Sequence, residues 1–154
     1  MASVATAPSS RKAALLTIHK HELDESAKAS PWRTAWREGF APQFSARALE
    51  ILARALADDD PRILQGATID PPPLPALFKW PVEAADAITF CGWQGDGLET
   101  VGEAAQFFAE TCFEADRLLG EPASVRWFLN WYDETPRDEM RRLLLAEVNR
   151  ALQS

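Results

Sequence analysis

Residues 87–120 read AITFCGWQGDGLETVGEAAQFFAETCFEADRLLG, and the fold turns on how this stretch is divided. An apolar run, Ala87-Ile88-Thr89-Phe90, leads into a segment crowded by Gly92, Gly95, Gly97 and Gly102. Strand, glycine loop and helix in that order would frame a phosphate-binding α/β unit. A turn feeding a capped helix would frame a helical bundle. A dinucleotide fingerprint needs a third glycine so that the helix can approach closely, and Thr100 occupies that position after Gly95 and Gly97. A Walker loop needs a lysine, yet no lysine or arginine lies between Lys79 and Arg117. Asp96, Glu99 and Glu103 already place carboxylates where the positive helix end would otherwise draw an anion. The stretch is a turn followed by a helix.

That helix is well delimited. Thr100 and Glu103 form a capping box, and Gly120 stops the run. Val101, Ala104, Ala105, Phe108, Cys112, Ala115 and Leu119 recur at helical spacing and are expected to face inward. AITFCGW, with its β-branched and aromatic residues, is the one strand expected, at most in one short hairpin.

Working outward, Ser9 or Ser10 opens a helix to about residue 26, with Leu15, Ile18 and Leu23 inward. Ser30-Pro31 begins a short helix, PWRTAWRE, expected to end at Gly39. Ser45 caps ARALEILARALA, with Phe44 and Leu49 placed to staple its start, and Asp60-Pro61 suggests one further helical turn. Residues 66–81 hold five prolines and should cross the bundle as an extended, apolar segment. Pro122 opens PASVRWFLNWYDE, expected to be the most enclosed helix, and Thr135-Pro136 caps the last one, with Met140, Leu144, Val148 and Leu152 inward. The expected fold is mainly α, a bundle of about six helices crossed by a proline-rich segment. One domain is expected over residues 1–154. Trp32-x-x-x-Trp36 and Trp127-x-x-x-Trp131, each followed by a proline and a helix, also allow an internal repeat of 9–57 and 101–153 joined by 58–100.

Charge is unevenly distributed: residues 1–57 carry net +3 and residues 80–121 net −8, within a total of −7. An acidic middle repels phosphate and favours basic partners, which argues against nucleic acid. No apolar stretch reaches the roughly 18 residues of a membrane helix. The first acid is Glu22, a faint echo of a transit peptide, but capped-helix signals and few bases favour a cytoplasmic protein. Cys91 and Cys112, the only cysteines, sit among apolar residues and acids, a poor setting for a thiolate nucleophile.

Two candidate binding surfaces follow. Trp32, Arg33, Trp36, Arg37, Phe40 and Phe44 combine stacking rings with cations, and Asp96, Glu99, Glu103, Glu110 and Glu114 form an acidic face. The expected function is a non-catalytic interaction module (an adaptor, inhibitor or accessory subunit) that holds a protein partner, a basic one for the acidic face, without a cofactor. The competing expectation is a small metal protein or metal-dependent enzyme built on His19, His21 and Glu22 with carboxylates from elsewhere, although H-x-H-E fixes no third ligand. No catalytic residues are assigned, and oligomeric state is left open.

Overall fold

The computed structural model describes residues 30–71 and 78–154. The helix expected near the N-terminus lies outside them. The described residues are mostly helical, with six helices and no sheet. Helix α1 spans 31–43: it is α-helical over Pro31–Thr34, widens to a π-helix over Ala35–Phe40, and tightens to 3-10 over Ala41–Gln43. Ser45 Oγ accepts from Ala48 N at 3.1 Å and starts α2, Ala46–Ala57. Helix α3 covers 87–95, α-helical over Ala87–Phe90 and π over Cys91–Gly95. Helix α4 is Val101–Leu119, α5 covers 124–134 with a π segment at Ser124–Leu129, and α6 is Arg137–Leu152.

Gly39 does not end α1. A Cβ there would lie 3.1 Å from Ala115 Cβ and 3.2 Å from Leu119 Cδ1 of α4, so its missing side chain serves close helix contact. Gln43 closes the helix by donating to the carbonyls of Gly39 and Thr111, both at 2.9 Å.

AITFCGW is a helix rather than a strand. Asp86 caps it by accepting from Thr89 N at 2.8 Å, and every residue from Ala84 to Gly92 is buried. A run buried on all sides shows neither a period of two nor of 3.6, so its apolar composition does not discriminate between the two. This makes α3, not α5, the most enclosed element, since Arg126, Asn130, Asp133 and Glu134 of α5 are exposed. The glycines after α3 serve the crossing and the turn. A Cβ on Gly95 would meet Ala48 Cβ of α2 at 2.7 Å, and Gly97 takes a left-handed φ of 88°. The capping box of α4 forms as expected, and Gly120 ends it at φ 81°.

Helices α2 and α6 pack together, burying Leu52 and Leu56 with Met140, Leu144 and Val148 in the main core. Arg141 supplies the missing donors at the end of α2, reaching Leu56 O at 2.9 Å and Ala57 O at 3.2 Å. Arg137 pins the following turn through Asp59 Oδ1, Ile63 O and Asp60 O. Asp60-Pro61 opens one hydrogen-bonded turn that does not extend into a helix: Ile63 N donates to Asp60 O at 3.1 Å, and Asp60 Oδ1 accepts from Arg62 N at 2.9 Å. Thr135 does not cap α6 either, because its hydroxyl donates back to Trp131 O at 2.6 Å. Of the proline-rich segment, 72–77 lie outside the described residues. Its downstream end pairs with the start of α4 through Gly102 N to Phe78 O, Val101 N to Trp80 O and Val82 N to Glu99 O.

Candidate functional site

The aromatic residues of α1 point into the core. Trp32 stacks on Trp131 with ring centroids 3.6 Å apart and planes 1° from parallel. Trp36 lies between Phe44 and Phe128 at 6.1 and 5.8 Å, and Phe40 contacts the same Phe128 at 5.1 Å. Trp32, Trp36, Phe40 and Phe44 are all buried. Helix α1 needs this bulk because it faces α5, and ring-to-ring packing brings dispersion and quadrupole attraction beyond area alone.

The arginines of the same helix face a partner within the chain. Arg37 Nε and Nη2 hold Glu147 at 2.7 and 2.8 Å, and Arg33 Nε reaches the same carboxylate at 3.2 Å. Glu147, on α6, is buried. Burial pushes its carboxyl pKa up, but the Arg37 hydrogen bonds and the charges of Arg37, Arg33 and Arg150 outweigh that and hold it below the usual range. The Arg33 guanidinium also lies 4.7 Å from the Trp32 ring. The structure thus brings the six residues together, with the rings inward and both cations engaged by a carboxylate 110 or more positions away in sequence.

The acids divide by role. Glu103 Oε1 accepts from Glu99 N at 2.9 Å and Thr100 N at 3.2 Å, contacts that lower its pKa. Glu114 pairs with Arg117 at 2.6 Å, which lowers its pKa in turn. Glu110 accepts a 2.9 Å bond from Gln106. Glu103 and Glu110 are exposed on α4, Glu114 is half-exposed there, and Asp96 and Glu99 are exposed on the turn before it.

Beside this acidic flank stand the two most exposed large apolar side chains among the described residues, Phe113 at 74% and Phe78 at 68%. They share one face of α4. Phe78 sits over Gly102, where an added Cβ would meet Phe78 Cβ at 3.3 Å, and eleven residues of helix from Gly102 to Phe113 return to within about 20°. Ala105 and Ala109, also exposed, lie between them. Ala105, expected inward, therefore belongs to the outer face. Around Phe113 a shallow open groove is lined by Gln43, Phe107, Glu110, Thr111 and Glu114. Sequence reasoning passed over Phe113 because it falls off the inward stripe. A phenylalanine off the stripe, among glutamates, was the legible signal.

Cys91 and Cys112 are free thiols. Burial, with Asp96 and Asp86 nearby, pushes Cys91 far up, and burial with Asp86 nearby pushes Cys112 up to about 12. Asp86 is itself pushed up to about 7 by burial, against the opposing hydrogen bonds from Thr89. Among the described residues no group of three His, Cys, Asp or Glu side chains could hold a metal, and His19, His21 and Glu22 lie outside them. No helix of the described residues is long and apolar enough to cross a membrane. Comparison with known family models, curated proteins and solved structures finds no match.

Proposed function

We propose that the protein is a non-catalytic interaction module, an adaptor, inhibitor or accessory subunit, that binds a basic protein partner through the outer face of α4. The observation that carries this reading is Phe113, 74% exposed on a helix whose flank presents Glu103, Glu110 and Glu114. A large exposed ring costs solvation and acts as an anchor once covered, while neighbouring charge selects and steers the partner. The aromatic and arginine residues of α1 serve this function indirectly, by fixing the scaffold that carries α4. A reducing, cytoplasmic setting fits two unpaired thiols.

Affinity capture from the source cell, run in parallel with wild-type protein and Phe113→Asp, tests the reading. A stoichiometric basic protein held by the wild type and lost with Phe113→Asp is expected. A stoichiometric partner retained equally by both would move the function to another surface.

A further inference from the structure

We infer that the outer face of α4 receives a single amphipathic helix, about three turns long, carrying lysine or arginine along one flank only. This rests on the proposed function and specifies the element that docks. Phe78, seated over Gly102, and Phe113 bracket the face; Gly102 and Phe113 lie about 16 Å apart along α4, the rise of eleven helical residues. Between them Ala105 and Ala109, both exposed, present almost no side chain. Two large rings at the ends and small residues between make a saddle in which a second helix can approach to about 8–10 Å between axes. Along α4 itself, whose amides are paired within the helix, an extended strand would find no backbone ladder to join.

Charge fixes the rest. Glu103, Glu110 and Glu114 all lie to the same side of the line from Gly102 to Phe113, where Arg117 offsets only Glu114. The other side carries Asp116, whose carboxylate already accepts from Ser124 N at 2.7 Å. A helix seated in the saddle therefore meets negative charge on one flank, and its own basic residues belong there. A second copy of this chain fits poorly. Antiparallel two-fold pairing of α4 with itself sets the three glutamates against their own copies, parallel pairing sets them against Asp116, and the net charge of −7 adds repulsion.

The test uses the full-length protein and two displayed peptide libraries. One is patterned as an 18-residue helix with leucine at core positions and Lys, Glu, Gln or Ser at each flank; the other is proline-interrupted and cannot form a helix. The helical library is expected to yield binders basic on one flank. Phe113→Asp and Phe78→Asp should each weaken them at least about 30-fold, and Glu110→Lys about fivefold. Glu50→Lys on α2, with the same change in charge, should leave binding unchanged. Binders from the interrupted library alone, still dependent on Phe113, would overturn the helix inference and leave the proposed function standing. Phe113-independent binding in both libraries would remove both. A wild-type dimer by sedimentation, abolished in Phe113→Asp, would assign the face to a second copy and overturn the inference. Intramolecular carbodiimide cross-links from Lys12 or Lys20 to Glu110 would overturn it by assigning the face to the chain's own N-terminal segment.

Discussion

Helices α1 and α4 both carry phenylalanines and charged residues, yet they use them in opposite ways. On α1 the rings are buried against α5, and Arg33 and Arg37 close on the buried Glu147. On α4 the inner face buries Val101, Ala104, Thr111 and Ala115, while Phe113 stands in solvent beside glutamates whose hydrogen bonds stay within their own helix and its cap. The difference teaches that aromatic and charged content does not by itself mark a binding surface. What separates the two helices is that the chain itself covers the rings and pairs the cations of α1, whereas Phe113 on α4 stays exposed among the described residues.

Substitutions should separate the two helices sharply. Trp36→Ala removes a fully buried ring and should cost about 4 kcal/mol in urea unfolding, enough to threaten a domain of ordinary stability. The scaffold beneath both helices has its own pH signature. Asp86 holds a proton in the folded state up to about pH 7 but ionises near 3.8 when unfolded. Its contribution is therefore fully present below the unfolded value and is lost as pH rises through the folded one. Unfolding free energy should fall by up to about 4 kcal/mol between pH 4 and 7, and Asp86→Asn, which keeps a capping oxygen, should flatten most of that slope.

Smaller effects sharpen the contrast. Glu147→Gln leaves two part-buried arginines poorly paired and should destabilise by about 2 kcal/mol. Gly95→Ala forces a methyl group against Ala48 and should cost about 1–3 kcal/mol, visible as a lowered melting temperature. Phe113→Ser should change stability by no more than about 0.5 kcal/mol. A loss comparable to that of Trp36→Ala would erase the distinction between the helices.

Local signals in the sequence were reliable where one residue decides a backbone position. The Ser45 cap, the Thr100–Glu103 box and the Gly120 terminator all hold, and they fix α2 and α4. Gly39 misled because glycine marks a helix stop and a close helix approach with the same residue. The α3 segment misled because complete burial removes the periodicity from which strand and helix are told apart. The acidic face was legible as composition, but its neighbour Phe78 was not: it reaches α4 only through pairing of residues 78–82 with 99–102. Glu147 was illegible for a similar reason, since nothing near it in sequence announces two arginines from α1.

Hydroxyl-radical footprinting of the native protein, read residue by residue, tests the central contrast most directly. Phe113 and Phe78 should be modified rapidly, with Trp32 and Trp36 protected until denaturant unfolds the chain. Native-state oxidation of Trp32 or Trp36 at a rate matching Phe113 would contradict it.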